Sequence, residues 1–153
     1  RIGQALGRMA KGIGMEVIAQ DIFHVPGIEE QIGMKYVELD ELLERADFIS
    51  LHTPSLNGVK LISKENIDKM KDGVVFINTS RGDNVNEDDL LEALNSGKIR
   101  AAGLDVYADE PATNAALYSH TNVSCTPHIG AATKEAQQRI GAEIVEIIES
   151  FGK

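Results

Sequence analysis

Three side chains in this sequence have the types and the order to do acid–base chemistry beside a bound anion. Arg81 sits in Asn78-Thr79-Ser80-Arg81-Gly82, Glu110 in Asp105-Val106-Tyr107-Ala108-Asp109-Glu110-Pro111, and His128 in Thr126-Pro127-His128-Ile129-Gly130. A guanidinium can hold a carboxylate through two parallel bonds and polarise a neighbouring carbonyl. An imidazole trades a proton near neutral pH, and a carboxylate beside it fixes the ring and favours its charged form. Together the three suit hydride transfer.

Taken singly, each has a plainer explanation: Arg81 as the partner of a surface carboxylate, Glu110 as a solvated loop acid, His128 as a turn histidine. The ordered set changes the balance, because each residue follows a different predicted strand. Ligands of open α/β sheets gather outside the carboxyl ends of the strands, so the fold can bring all three to one crevice, open to solvent on its substrate side.

The strand that leads to Arg81 is the anchor of the reading. Val74-Val75-Phe76-Ile77, between Gly73 and Asn78, is a short apolar run of the kind buried on both faces of a parallel sheet. Upstream, Ile2, Leu6, Met9, Ala10 and Ile13 fall at helical spacing with Gly14 as a stop, which predicts a helix whose apolar stripe faces a sheet. A strand over Glu16–Gln20 then ends at Asp21. Tyr36–Val37 and Phe48–Leu51 are further strands, separated by a helix over Asp40–Ala46, and a helix over Lys64–Met70 is capped by Ser63. Beyond the anchor strand, Asn86 caps a helix that Gly97 stops, Ile99–Val106 and Val123–Cys125 return as strands, and Thr133 caps a last helix to Phe151. That alternation predicts an α/β fold, a doubly wound, mostly parallel sheet.

Bulk properties fit one such domain with one core. The chain has 153 residues, 42% of them apolar and 25% charged, and its 24 acidic against 15 basic side chains give a net charge of −9. That balance argues against a nucleic-acid or anionic-membrane surface. No apolar run reaches the roughly 18 residues of a membrane span, and a lone Cys125 suits a reducing compartment, so the expectation is a cytoplasmic protein. Cys125 itself reads as a buried hydrophobe. His24, His52, His120 and His128 lack metal-ligand spacing, so no metal site is expected.

With these residues in view, the whole chain resembles the NAD-dependent D-isomer-specific 2-hydroxyacid dehydrogenases, whose cofactor domain is Rossmann-like. The likeness is carried, in order, by Arg1-Ile2-Gly3, Asp21, Leu51-His52-Thr53-Pro54, Lys71-Asp72-Gly73, Asn78 to Gly82, Gly103-Leu104-Asp105-Val106, Glu110-Pro111 and Thr126 to Gly130. The resemblance implies NAD as cofactor and a small 2-hydroxy or 2-oxo acid as substrate, with Arg81, Glu110 and His128 as catalytic residues and His128 as the proton donor and acceptor. It also implies a cofactor site. Arg1, Ile2 and Gly3 would approach the pyrophosphate, Asp21 the adenosine ribose hydroxyls, and Asp105 the nicotinamide carboxamide. Thr53, Pro54, Thr79 and Ser80 would line the groove beside Arg81 and His128, and Gly130 with Ala131 would pack near the nicotinamide. His52 belongs to the groove by resemblance and is equally well explained as a packing residue. Within the family, Ala131 to Gln137 looks most like the D-3-phosphoglycerate dehydrogenase branch, the entry to serine synthesis. Dehydrogenases for glycerate or glyoxylate, and relatives that bind NAD as a regulatory ligand, are the alternatives.

The departures set further expectations. Of the Gly-x-Gly-x-x-Gly fingerprint only Gly3 is present, without the strand that precedes it, so residues 1–153 read as a cofactor domain short of its first strand. In the usual order that strand is central, and its two neighbours would face a gap. The family's substrate domain is not represented, and the fragment alone is expected to be inactive. The resemblance implies a homo-oligomer. Ile22, and Asp83-Asn84 after Arg81-Gly82, depart from the family pattern and attract no role at this stage.

Overall fold

The structure, a computed structural model, describes residues 1–151. Its elements are α1 (Ile2–Gly12), β1 (Ile18–Ala19), α2 (Ile28–Ile32), β2 (Lys35–Tyr36), α3 (Leu39–Arg45), β3 (Phe48–Leu51), α4 (Lys64–Lys69), β4 (Val74–Asn78), a 3-10 turn (Gly82–Asn84), α5 (Glu87–Ser96), β5 (Ile99–Leu104), α6 (Ala115–Tyr118), β6 (Val123–Cys125) and α7 (Lys134–Phe151). Strand and helix alternate as the sequence predicts.

All the strand pairs are parallel, but they form two sheets. One has the order β3-β4-β5-β6 and the other is the pair β1-β2. β1 and β3, the two strands expected to flank a gap, are each paired on one edge only.

The anchor strand lies inside the larger sheet. Val74, Phe76 and Asn78 are buried on one face of β4 and Val75 and Ile77 are half-covered on the other. Around Phe76, which has no exposed surface, pack Ile49 and Leu51 of β3, Ile67 of α4, Leu90 and Leu94 of α5, Ile99 and Leu104 of β5, and Leu117 of α6. A second cluster, Ile28, Ile32 and Met34, sits under the β1-β2 pair, against the expectation of a single core. The split sheet is the reason: each sheet has to bury its own apolar face.

Local chemistry explains most boundaries. The Asn86 side chain accepts from the Asp88 and Asp89 amides at the start of α5, and Gly97 ends that helix at φ 80°. Thr133 Oγ1 accepts from the Ala136 amide at the start of α7. Ser63 occupies the cap position of α4 but its hydroxyl makes no capping bond; Asp89 accepts from the Lys64 amide at 2.7 Å instead. The sequence reading passes over α2 and α6, both about one turn long. α2 is bracketed by Gly27 and Gly33, both at positive φ, and Asn114 caps α6 by accepting from the Leu117 amide.

Two expectations of burial fail, and the last helix is open as well. In α1 only Gly7 is buried, while Ile2, Met9 and Ile13 are exposed. α7 has no buried residue, and its Ile140, Ile144, Ile147 and Phe151 lie open. Cys125 is exposed as well, because β6 is the edge strand of its sheet and nothing among the described residues covers that end.

Candidate active site

The turn that presents Arg81 is built by Asn78, the last residue of β4. Asn78 is 1% exposed, and its side-chain oxygen accepts from both the amide and the hydroxyl of Ser80, each at 3.0 Å. Its amide donates to the Arg81 carbonyl at 2.9 Å, closing the turn. Such a turn satisfies a buried polar side chain and fixes the backbone beyond the strand in one step. Thr79 and Arg81 are left exposed. The Arg81 guanidinium donates to the neighbouring Ser80 carbonyl at 2.6 Å and forms no ion pair among the described residues.

Glu110 and His128 meet directly. Nδ1 of His128 lies 2.7 Å from Oε2 and 2.9 Å from Oε1 of Glu110, which leaves Nε2 as the nitrogen without a partner among the described residues. The His128 bond holds the Glu110 carboxyl below its ordinary value; burial opposes this and the Tyr107 amide reinforces it. Both side chains are nearly half exposed, at 49% for His128 and 42% for Glu110.

His128 adopts φ 54°, the left-handed region that a β-carbon disfavours. Asp105 holds it there. One carboxylate oxygen accepts from Thr126 Oγ1 at 2.5 Å and from the Ile129 amide at 2.9 Å, and the other accepts from the Gly130 amide at 2.9 Å. Burial alone would push the Asp105 carboxyl up, but these three bonds outweigh it and the group titrates below its ordinary range. A strained backbone persists where its surroundings over-determine it, and this loop is clamped on both sides of His128.

Tyr107 ties the two loops together. Its hydroxyl donates to the Thr126 carbonyl at 2.6 Å, and its amide donates to Glu110 at 3.3 Å. Glu87, at the start of α5, accepts from the Ala108 amide at 2.8 Å and from the Tyr118 hydroxyl at 2.7 Å, pinning the same loop from the far side. The Arg81 turn joins through Gly82, which abuts the Tyr107 backbone. Arg81, Glu110 and His128 thus stand on adjoining, solvent-facing loops at the carboxyl ends of β4, β5 and β6. The guanidinium itself bonds neither of the other two.

The residues expected to hold the cofactor fall into two groups. Thr53 and Pro54 lie past β3, next to the Arg81 turn, and both accept bonds from Asn84. Gly130 belongs to the clamped loop, and the Ala131 carbonyl accepts from Gln137 at 3.1 Å. Gly3 faces His52 closely enough that a β-carbon there would touch its ring at 3.4 Å. His52 is half-buried with its Nε2 3.0 Å from Ser50 Oγ, and burial pushes its pKa down. Asp21 is on the smaller sheet, past β1, with one carboxylate oxygen accepting from the Phe23 amide at 3.0 Å. Arg1 and Ile2 are exposed at the head of α1, where Arg1 pairs with Glu143 at 3.6 Å.

The donor set fits a dinucleotide. A carboxylate past β1 with one oxygen unpartnered among the described residues, hydroxyls past β3 and β4, and closely approached glycines match what its ribose and phosphate groups require. Asp105 accepts three bonds from its own chain and so holds the His128 loop.

Sequence reasoning passed over Asn78, Asn84, Tyr107 and Thr126 as functional residues. Asn78 and Asn84 carried a signal: an asparagine that ends an apolar strand, or closely follows one, needs a reason to be there.

Comparison with known proteins gives the family. The family described as D-isomer specific 2-hydroxyacid dehydrogenase, NAD binding domain, matches residues 1–130. A hydroxypyruvate reductase of Blautia hydrogenotrophica is 46% identical over 155 residues, covering 100% of this chain and 48% of its own length. A D-3-phosphoglycerate dehydrogenase of Mycobacterium leprae is 44% identical over 97% of this chain and 28% of its own. The crystal structure of a D-lactate dehydrogenase from Aquifex aeolicus, complexed with NAD and lactic acid, superposes with a TM-score of 0.84 at 34% identity, covering 98% of this chain and 50% of that one. The chain spans about half, or less, of the length of these relatives. It belongs to the NAD-binding domain family of the D-isomer specific 2-hydroxyacid dehydrogenases.

Proposed function

We propose that this chain is the cofactor-binding part of a dehydrogenase that interconverts a small 2-hydroxy acid and its 2-oxo acid. The observation that carries the reading is the His128–Glu110 contact of 2.7 Å on a solvent-facing loop, with Nε2 of the ring unpartnered among the described residues. When bound, NAD supplies the hydride chemistry at C2 of the substrate. Asp21 would hold the adenosine ribose, Thr53 and Pro54 the groove wall, and Gly130 the close approach at the far end.

The chain's own residues then have separable tasks. Arg81, free of any protein carboxylate among the described residues, receives the carboxylate of the substrate. His128 Nε2 gives a proton to the carbonyl oxygen during reduction and takes it back from the hydroxyl during oxidation. Glu110 holds Nδ1, so the reacting nitrogen points outward. Asp105 keeps the loop in its strained form.

The finer reading is 3-phosphoglycerate as substrate, at the entry to serine synthesis, supported by the likeness of Ala131 to Gln137 to that branch. Two further parts complete it. One more parallel strand between the single-paired edges of β1 and β3, and a substrate domain covering the exposed loops, would come from sequence outside residues 1–153 or, for the strand, from another chain. A homo-oligomer in the cytoplasm is the expected setting.

The test is oxidation of NADH by the full-length protein with hydroxypyruvate, phosphohydroxypyruvate and glyoxylate in parallel. Turnover on one or more, lost in His128→Ala, is the expected result. NADH binding without turnover on any 2-oxo acid would overturn the enzyme reading in favour of a regulatory NAD-binding protein.

A further inference from the structure

The 3-10 turn that follows Arg81 carries a residue with no part in the chemistry above, although it reaches straight into the cofactor-facing loop. Asn84 has no exposed surface. Its side-chain amide donates to Thr53 Oγ1 at 2.9 Å and to the Pro54 carbonyl at 2.7 Å, and its side-chain oxygen accepts from the Leu56 amide at 2.9 Å. Its own carbonyl accepts from the Ile62 amide at 3.0 Å. The loop from 53 to 62 is therefore pinned at both ends by one buried residue. Next to it, Asp83 accepts from the Ser55 hydroxyl.

The orientation of the amide is determined by its partners. A proline carbonyl can only accept and a backbone N–H can only donate, so the group facing Pro54 must be NH2 and the group facing Leu56 must be oxygen. Aspartate would set an oxygen against the Pro54 carbonyl, serine is too short to span both, and alanine would leave the Leu56 amide and the Pro54 carbonyl without partners. Buried polar groups that lose their partner cost more than the bond itself contributed.

We infer that Asn84 is a positioning residue for NAD: it sets the conformation of Thr53 and Pro54, and through them the affinity of the groove. This rests on the reading of Thr53 and Pro54 as groove-lining residues. Asn84 touches neither the substrate nor the proton-transfer pair, so its effect belongs to cofactor binding rather than to turnover. It also hangs the cofactor loop on the turn that presents Arg81, which makes one short segment responsible for both sides of the site.

The experiment compares wild type and Asn84→Ala in the full-length protein. NADH titration should show a Kd raised about tenfold, with the loss in steady state appearing in KM for NADH and not in kcat. A purely structural role would instead lower the active fraction, reducing apparent kcat at unchanged KM, and would overturn the inference. So would equal NADH affinity in the two proteins. If wild type itself binds no NADH, the groove assignment fails and this inference falls with it, a result distinct from the previous two. Should Asn84→Ala not fold, hydrogen exchange at the Leu56 amide of wild type decides: slow exchange, slowed further by NADH, is expected, and exchange as fast as in open loops, or indifferent to NADH, overturns it.

Discussion

Gly82 lies so close to Tyr107 that a β-carbon on it would fall 2.0 Å from both the carbonyl carbon and the carbonyl oxygen of that residue. The turn that presents Arg81 and the loop that presents Glu110 are thereby in backbone contact. A flexible side chain could yield to an added methyl, but backbone cannot without moving a loop.

Gly82→Ala should accordingly destabilise the full-length protein by at least about 1–3 kcal/mol, and the surviving folded protein should lose oxo-acid turnover more than NADH affinity. Urea denaturation followed by steady-state kinetics checks this. A variant with wild-type midpoint and kcat/KM would mean that the two loops are not mechanically joined.

Glu110→Gln should lower turnover about 100-fold or more while leaving NADH affinity nearly unchanged, since the carboxylate acts only through the His128 ring. The pH dependence has a definite sign. The Glu110 carboxyl is held below its ordinary 4.5 by the His128 bond, so what that bond contributes is complete above this pH and is lost as pH falls through the lowered value. The acid limb of the wild-type kcat/KM profile due to Glu110 should therefore lie below pH 4.5 and be absent in the glutamine variant. An unchanged acid limb would remove Glu110 from the mechanism.

Tyr107→Phe deletes one hydroxyl and little else. Burial, together with the neighbouring Cys125, pushes the pKa of this hydroxyl up to about 12, so it remains a donor to Thr126 throughout the neutral range. The expected loss is about 1 kcal/mol of stability, seen as a Tm lower by about 2–4 °C. It should come with reduced kcat, because the strut between the Glu110 and His128 loops is gone. A melting curve and rate identical to wild type would show that the loops keep their spacing without it.

Asp21 should set the choice of cofactor. One of its oxygens is held by the Phe23 amide and the other has no partner among the described residues; if it meets the ribose hydroxyls as proposed, a 2′-phosphate there would be repelled. Asp21→Ala should reduce the NADH-over-NADPH preference by about tenfold, measured as the ratio of kcat/KM for the two cofactors. A wild type that uses NADPH more efficiently would contradict the assignment outright.

How much of this was legible beforehand follows from the range of the interactions involved. The alternation of strand and helix, the burial of Val74 and Phe76, and the capping by Asn86 and Thr133 are local matters of periodicity and side-chain chemistry, and the sequence by itself determined them. The order of Arg81, Glu110 and His128 after three successive strands was equally readable, because parallel strands deliver their carboxyl ends to one side of a sheet. The clamp of Asp105 on both sides of His128, the Tyr107 strut and the buried amide of Asn84 join residues 19 to 31 positions apart through single hydrogen bonds. No periodicity encodes such pairings, and they exist only once the loops are packed. Exposure was decided in the same way. Hydrophobicity named the apolar faces of α1 and α7, but whether a face is buried depends on a neighbouring surface, and among the described residues neither face has enough of one.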